Sequence, residues 1–588
     1  MSATPPELLA EVAAFQPLTL RDHVAVRTAQ PDYGDWLEHI SSAAACTRPI
    51  RLAGDLYTVR GTSGGGGEVF RHTPTDRLPD GVIYKACGNR RASICPACAR
   101  IYQRDAYQVL RTMLVGGKGV PAAVARHPAA FVTLTAPSFG TVHTRVVRKH
   151  TCTNRGRCDC RAEPCHARSN TPGRCRHGQP AVCWARHETG DTVIGRPLCL
   201  DCYDHDHQVV WNLFSGELWR RTSIALSRHL ARRCRERRIP FRLVELPGGK
   251  VRSVAPVRIV YGKVAEYQRR GVVHFHILIR LDGYDPDDPD TVLPPPAGLS
   301  FLDLHDAVAQ AATDTVFGTP VHPDRPDGWP VTWGDPDKGL DIREISLTGR
   351  DDVTDGLAAG YLAKYATKST EVTGHRSTRL TADTVDLYAD PEGDHIARLI
   401  DACWRLGRAT RTPQRLSTRP RPTRPAVSWT PRDCPDCGTR TRLAVCPTCT
   451  PDCQPEVDTE SIGGTEPNPY ARLRRAAHML GFGGHFLTKA RRHRVTFGLL
   501  RANRVTWRRT NDTTTPDQPI RTADHLDEET TLVVGVLTFA GAGWHTIGDA
   551  ALANTAAAMA RARADAAREE LAHEIGTAVL SGGTLVAA

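Results

Sequence analysis

The chain has 588 residues, with 76 lysines and arginines against 64 aspartates and glutamates, for a formal net charge of +12. This length is enough for roughly three or four domains with their own cores. No apolar stretch approaches the ~20 residues of a membrane span and no secretory leader begins the chain, so we expect a cytoplasmic protein that contacts no membrane. Basic runs at 228–238, 418–425 and 489–494 favour a nucleic acid as partner, with solvated helix faces as the alternative.

The spacing of the cysteines predicts zinc sites along the chain. In a reducing compartment the 19 cysteines are unsuited to disulfides, so clustered spacings indicate metal ligands. The first cluster supplies three zinc ligands, Cys87, Cys95 and Cys98, and either Cys46 or His72 is the candidate for the fourth.

A second set of cysteines and histidines fills an insertion at about 150–210, which has few aliphatic residues for a core of its own. The set can saturate two zinc ions, which fits metal-dependent folding, although the sequence leaves the partition among ligands open. Its members are Cys152, Cys158, Cys160, Cys165, Cys175, His177, Cys183, His187, Cys199 and Cys202. Among these we single out Cys175, Cys183, Cys199 and Cys202 as zinc ligands.

Between about 125 and 370 the hydrophobic pattern is a mixture of helices and strands. We expect strands at 131–138, 257–268, 272–281 and 340–347, a basic amphipathic helix at 216–238 and an Ala-rich helix at 355–369. The second and third of these strands are separated by a tight Arg-Arg-Gly turn, which predicts a hairpin.

Two histidines one residue apart occupy the second strand of this hairpin. Alternation along a strand places His274 and His276 on one face and Phe275 on the other. On the partner strand Glu266 supplies a carboxylate, so the three side chains are candidate ligands of a catalytic Mg²⁺ or Mn²⁺. The alternative is that the two histidines are structural core residues.

The Ala-rich helix carries two tyrosines and two lysines at helical spacing. Tyr361 and Tyr365 are four residues apart and share a face, and Lys364 and Lys368 form a second such pair. A phenol can form a covalent ester with a phosphate, and ammonium groups hold the anion. These residues are the candidate catalytic groups for attack on a phosphodiester, with the metal polarising the phosphate.

The remaining cysteines divide into a zinc ribbon and buried residues. After an Arg/Pro/Thr-rich linker, Cys434, Cys437, Cys446 and Cys449 have the paired spacing of a tetrahedral zinc site. Cys234 and Cys403 fall inside helical patterns and are expected to be buried apolar residues. Farther on, an apolar run at 531–543 precedes an Ala-rich amphipathic helix at roughly 548–574.

Three segments in this order resemble the motifs of HUH endonucleases that start rolling-circle replication: FVTLTAPSFG (131–140), EYQRRGVVHFHILIRL (266–281) and YLAKYATKS (361–369). Together with the Cys-rich region and the block at 477–504, the chain resembles the replication initiators of actinobacterial plasmids and integrative conjugative elements. The tyrosines follow the histidines, as in replication initiators and single-strand transposases. The resemblance implies Tyr365 as the primary nucleophile, and Tyr361 as a second nucleophile or a packing residue.

The resemblance implies an α+β fold with a central antiparallel sheet of the RRM or palm type, flanked by helices, with zinc-binding insertions and a C-terminal DNA-binding region. We expect an N-terminal region (1–80), a zinc-binding segment and helix (81–125), an endonuclease domain (126–405), a linker (406–432), a zinc ribbon (433–455) and a C-terminal basic region with an Ala-rich helix (466–588).

The implied activity is site-specific nicking of a double-strand origin through a 5′-phosphotyrosine, followed by rejoining at termination. The implied partners are origin DNA, double-stranded and as a single-stranded nick site, together with a host helicase and DNA polymerase, since the sequence has no complete phosphate-binding loop of an NTPase motor. The alternatives are a single-strand DNA transposase with the same chemistry and a non-catalytic zinc-dependent DNA-binding regulator.

Overall fold

The computed structural model describes residues 18–61, 67–147, 150–151, 160–166, 173–345, 355–368, 370–373, 375, 378–408, 427–433, 440–443, 468–502 and 531–580. The helices with bounds in this part are α1 (Leu20–Thr28), α2 (Tyr33–Ile40), α3 (Pro96–Val115), α4 (His205–Glu236), α5 (Phe301–Asp314), α6 (Pro336–Gly339), α7 (Asp355–Tyr365), α8 (His395–Leu406), α9 (Arg472–Arg475) and α10 (Ile547–Leu580). The strands are β1 (Ile50–Gly61), β2 (Gly67–Pro74), β3 (Ile83–Lys85), β4 (Ala129–Leu134), β5 (Arg242–Leu246), β6 (Lys250–Val254), β7 (Val257–Tyr267), β8 (Val273–Gly283), β9 (Phe317–Gly318), β10 (Pro330–Val331), β11 (Leu340–Glu344), β12 (Val427–Asp433), β13 (Arg440–Leu443), β14 (Leu487–Lys489) and β15 (Thr531–Ala542).

A five-stranded sheet in the order β11-β4-β8-β7-β14 forms the centre of the fold, and every neighbouring pair in it is antiparallel. The predicted hairpin is confirmed, since β7 and β8 pair along their whole length around a turn at Gln268–Val272. Gly271 has a positive φ of +79°, a conformation that glycine adopts without a side-chain clash.

Each face of this central sheet is covered by helices. One face packs against α4 and α5 and buries Phe275, Ile277 and Ile279 completely. The other face packs against α3 and α7 around Leu110, Leu278 and other side chains. Burial of a side chain of this size contributes roughly 1.5–3 kcal/mol, and β8 directs apolar side chains to both faces, which explains why both are covered. The mixed fold with an antiparallel sheet is as predicted.

A second sheet joins the two ends of the chain. Strand β1 pairs with β2 and β3 on one side and with β15 on the other, from Ile50 opposite Ala542 to Arg60 opposite Thr531, with a register shift between Arg51 and Leu52. The apolar run expected at 531–543 is therefore the partner of an N-terminal strand. A separate small core lies under this sheet, around Trp36, Tyr84 and Ala553.

The expectation about two cysteines is met, and the expected end of one helix is revised. Cys234 and Cys403 are fully buried, as predicted. The tyrosine helix α7 ends at Tyr365 rather than near 369. Among the described residues, every helix is too short or too polar to traverse a lipid bilayer.

Candidate active site and metal-binding clusters

The hairpin brings one carboxylate and two imidazoles to a single point. Glu266 on β7 lies directly opposite His274 on β8, and its Oε2 is 3.2 Å from Nε2 of His274 and 3.2 Å from Nε2 of His276. The side chains are 11%, 16% and 6% exposed, respectively. Because the three ligand atoms converge from one face of the sheet, they can hold one metal ion.

The side chain of Thr133 orients one of these imidazoles from the neighbouring strand. Its Oγ1 lies 3.0 Å from Nδ1 of His276. A metal bound at Nε2 would leave the proton of the neutral imidazole on Nδ1, which would then donate a hydrogen bond to the threonine oxygen. The sequence analysis did not identify Thr133. The available indication was that Thr133 is a polar residue at an alternating position of the expected strand 131–138.

The charge states of Glu266 and His274 are those that a cation requires. Burial raises the pKa of Glu266, but hydrogen bonds with His274 and His276 outweigh burial and bring that pKa down to about 2. Burial lowers the pKa of His274. At neutral pH the carboxylate is therefore ionised and the His274 imidazole is neutral, and a nitrogen and oxygen donor set of this kind suits Mn²⁺ and also accommodates Mg²⁺.

Two tyrosines of α7 stand over the histidines. The rings of Tyr361 and Tyr365 have centroids 4.4 Å apart, and they lie 5.2 Å and 6.0 Å from the ring of His276. Phe131 on β4 packs edge-on against Tyr361. Burial raises the pKa of both phenols, with the neighbouring tyrosine adding to the effect on Tyr361, so both are protonated at neutral pH.

The two lysines of this segment have different surroundings. Because α7 ends at Tyr365, Lys368 lies beyond the helix and turns toward the site, with Nζ 3.6 Å from Oε1 of Glu266 and 4.0 Å from the ring centroid of Tyr365. Lys364 is exposed and belongs to none of the ion pairs among the described residues. The pair of helical lysines expected from the sequence is therefore not formed.

Four cysteines near the N-terminal end of α3 form one cluster in which the sulfurs lie within 4.8 Å of one another: Cys46, Cys87, Cys95 and Cys98. Two of its sulfur pairs are 3.7 and 3.8 Å apart. Tetrahedral Zn–S bonds of about 2.3 Å put the sulfurs about 3.8 Å apart, so the spacing suits Zn²⁺. Of the two candidates for the fourth ligand, His72 instead pairs with Asp55 at 2.7 Å.

The loop of this cluster contacts the end of the tyrosine segment. Arg90 donates hydrogen bonds to the backbone carbonyls of Ala366 and Lys368, and Ser93 donates to Glu371 at 2.8 Å. The last carbonyls of a helix lack partners within the helix, so a guanidinium there both pairs them and matches their partial negative charge.

The insertion contains two further quartets. The first consists of His143, Cys165, Cys183 and His187, and the second of Cys175, His177, Cys199 and Cys202. His143 was missed by the sequence analysis because it precedes the Cys-rich run by several residues. Of the remaining cysteines of the insertion, Cys160 belongs to neither quartet. Cys152 and Cys158, like Cys434, Cys437, Cys446 and Cys449 of the expected ribbon, lie outside the described residues.

The first quartet of the insertion is linked to the hairpin of the candidate active site. His187 shares a hydrogen bond of 2.7 Å with Asp191, an arrangement that fixes a metal-binding imidazole. The backbone carbonyls of Asp191 and Thr189 accept hydrogen bonds of 2.8 and 2.7 Å from Arg269, in the turn between β7 and β8. The insertion thus holds the turn of the strands that carry Glu266 and His274.

The three basic runs differ in their surroundings. In the run at 228–238, Arg233 and Arg237 pair with Asp306 and Asp303 on α5, which favours the structural alternative there. The run at 418–425 lies outside the described residues. The run at 489–494 lines a cavity at the edge of the central sheet.

Comparison with known proteins shows the family of the chain. A family model described as "Replication initiator protein, pSAM2" matches residues 32–558. The chain is 33% identical over 569 residues to a replication initiator protein of Streptomyces ambofaciens, which covers 95% of this chain and 97% of the relative. No solved structure matches. The chain therefore belongs to the replication initiator family represented by the protein of pSAM2.

Proposed function

We propose that the protein starts rolling-circle replication of a plasmid or integrative element by nicking one strand of its double-strand origin. Tyr365 is the primary nucleophile, and the endonuclease is of the HUH type. The observation that carries the proposal is the contact of Tyr361, edge-on, and of Tyr365, tilted, with the ring of His276, whose Nε2 converges with Nε2 of His274 and Oε2 of Glu266. A nucleophile therefore stands next to a candidate cation site.

The reaction replaces one phosphate ester with another. The Tyr365 oxygen bonds to the scissile phosphorus, the bond from phosphorus to the 3′-oxygen breaks, and the phenol proton is balanced by the proton gained by the 3′-oxygen. A bound Mg²⁺ or Mn²⁺ supplies Lewis-acid polarisation of the phosphate. The products are a 5′-phosphotyrosine and a free 3′-hydroxyl that primes synthesis, and the reverse reaction rejoins DNA at termination.

The side chains of the site have separate tasks in this scheme. Glu266, His274 and His276 hold the cation, and Thr133 keeps the His276 imidazole in the required tautomer. Lys368 lies against both Glu266 and the Tyr365 ring, where its ammonium group stabilises negative charge on the phenol oxygen and the phosphate. Lys364, exposed one turn before, contacts the strand farther from the reacting phosphorus.

The rest of the chain binds the origin and depends on host proteins. The Cys/His clusters hold structural Zn²⁺, and the basic surfaces contact duplex DNA. A host helicase unwinds the duplex and a host DNA polymerase extends the primer, since no NTPase loop is present in the sequence.

The test is covalent capture of DNA. The purified full chain is incubated with Mn²⁺ and a labelled single strand carrying the origin, and adducts are separated on a denaturing gel. We expect an adduct with wild type and with the control Tyr388→Phe, whose ring is exposed and outside the site, and none with Tyr365→Phe. We expect Tyr361→Phe to form the adduct through Tyr365, as wild type does.

Two outcomes would favour the alternative functions, and a third would change the choice of nucleophile. Absence of an adduct from wild type in Mn²⁺ would leave a non-catalytic DNA-binding regulator as the better reading. Adducts that form on transposon-end hairpins but not on the origin strand would assign the same chemistry to a transposase. Loss of the adduct in Tyr361→Phe but not in Tyr365→Phe would reverse the choice of nucleophile.

A further inference from the structure

We propose that a cavity lined by arginines, at the end of the central sheet away from the tyrosines, binds a backbone phosphate of duplex DNA. The cavity lies between the start of β7, the end of β8, the loop after α3 and the basic run at 489–494. Its charged lining residues are Arg258, Arg280, Arg492, Arg494, Asp282 and Asp290. We refer to it as the arginine cavity.

Two of the four arginines are neutralised within the protein. Arg280 forms two hydrogen bonds of 2.7 Å to the carboxylate of Asp282, which is itself bonded by His127. Arg494 is paired with Asp290 at 3.5 Å on the surface. Both aspartates of the lining are therefore already engaged.

The other two arginines have no carboxylate partner among the described residues. The Nη atoms of Arg258 donate to the carbonyls of Pro289 and Thr291, and its Nε is buried with no hydrogen-bond partner. Arg492 lies 4.7 Å from the ring centroid of Tyr284 and enters no ion pair within the described ranges. Two uncompensated guanidinium groups thus face one cavity.

This arrangement is unfavourable until an anion enters. Burial has the largest effect on the pKa of Arg258 and lowers it; the carboxylate of Asp282 acts in the opposite direction, and the charge of Arg492 lowers the pKa further. An anion between the two guanidinium groups converts their repulsion into two attractive contacts. The tetrahedral oxygens of a phosphate match the planar donor geometry of arginine, which makes phosphate the fitting anion.

The lining favours a DNA phosphate over a free nucleotide. The ring of Tyr284 beside the cavity is already contacted by Arg258 and Arg492, and the lining residues offer no exposed aromatic ring on which a base could stack. Arg492 and Arg494 are exposed at the mouth, where a duplex backbone can reach them. The choice of DNA as the ligand rests on the proposed function, but the phosphate site does not depend on the nicking reaction.

The position of the cavity suits an origin contacted at two points. Arg258 and Glu266 point to the same face of the sheet, opposite Asp282 and His274 on β8. Eight residues of strand at ~3.3 Å each separate them by about 26 Å. Between them Leu110 of α3 packs on Gly262, so the two sites are separate clefts. Duplex can bind at the cavity while its opened strand reaches the tyrosines.

The test measures salt-dependent binding of the full chain to a short labelled duplex of arbitrary sequence. We expect Arg492→Ala to weaken binding and to lower the slope of log K against log salt by about 1, the value for one lost phosphate contact. Arg491→Ala is the matched control, because Arg491 is adjacent, equally charged and exposed but outside the cavity, and it should leave the slope unchanged. Arg492→Glu should weaken binding further.

Each remaining outcome counts against the inference. Equal losses in Arg491→Ala and Arg492→Ala indicate a general charge effect and overturn the cavity as a site. Loss of inorganic phosphate or nucleoside triphosphate binding in Arg492→Ala, with duplex binding unchanged, assigns the cavity to a small ligand instead. Melting curves of each variant establish folding. The duplex-binding assay requires no cleavage, so its result does not depend on whether the covalent adduct forms. Likewise, failure of duplex binding at the arginine cavity would not contradict the adduct test.

Discussion

The guanidinium of Arg90 donates a hydrogen bond of 3.2 Å to the backbone carbonyl of Ala366, immediately after the helix that carries both tyrosines. Arg90 belongs to the loop between Cys87 and Cys95, so a cysteine cluster near the N-terminal end of one helix contacts the segment at the C-terminal end of another. Burial lowers the pKa of Arg90 to about 10, which leaves it charged at neutral pH.

Replacing Arg90 should loosen the tyrosine segment. Arg90→Ala removes a charged donor from two carbonyls, and hydrogen bonds to charged groups contribute about 1.5–3 kcal/mol each. We expect urea denaturation to report a loss of roughly 3–6 kcal/mol for the two bonds together, and adduct formation to fall by more than the unfolded fraction explains. Arg100→Ala, at an exposed position of α3, should behave as wild type; equal effects of the two would remove Arg90 from this role.

The zinc content should identify His143 as a ligand. His143→Ala is expected to lower the bound zinc by one ion per chain, measured by elemental analysis, because its Nδ1 lies 3.2 Å from Nε2 of His187 within a quartet. His305→Ala is the control, since His305 is 41% exposed on α5, pairs with Asp306 and belongs to none of the clusters among the described residues. A normal zinc content in His143→Ala would contradict the assignment.

The contact between insertion and hairpin should be measurable through Arg269. Arg269→Ala deletes its bonds to Asp191 and Thr189, and we expect the free energy of unfolding to fall by about 1–3 kcal/mol. Removal of zinc from wild type by a chelator should produce a similar loosening of the turn, seen as faster amide exchange in β7 and β8. Arg196→Ala, an exposed arginine of the same insertion, should leave both readings unchanged.

Stability should fall in mild acid because of two histidines. Burial lowers the pKa of His395 to about 4 and that of His205 to about 3, with the neighbouring His395 adding to the shift of His205. Nε2 of His395 donates to the carbonyl of Arg270 at 2.8 Å, so Nδ1 must remain unprotonated to accept from His205. A proton on Nδ1 would break that contact.

The direction of this pH dependence follows from the unfolded chain, in which both histidines titrate near pH 6.5. The contribution of the two histidines to the free energy of unfolding is fully present above that pH. As the pH falls toward 4, this free energy declines by about 1.4 kcal/mol per pH unit for each histidine, because only the unfolded chain takes up the protons. Thermal melting between pH 7 and 4 measures this decline. His395→Gln keeps a donor toward Arg270 and should flatten the profile; an unchanged profile would exclude His395 as its source.

Local patterns sufficed for much of this protein. Alternation predicted the hairpin and the shared face of His274 and His276, because side chains on a strand point alternately to its two faces. Cysteine spacing indicated the cluster of Cys87, Cys95 and Cys98, since ligands close in sequence are close in space. The overall family also follows from motif order, which the family comparison bears out.

Contacts between residues far apart in the sequence are seen only in the tertiary structure. Cys46 completes a cluster begun at Cys87, His143 joins a quartet ending at His187, and β15 pairs with β1 across most of the chain. Helix α7 ends at Tyr365, and the carbonyls of Ala366 and Lys368 beyond it accept hydrogen bonds from Arg90, which is distant in sequence. The sequence by itself determined which side chains share a face of one element; which elements meet depended on packing and hydrogen bonds between segments that no local periodicity encodes.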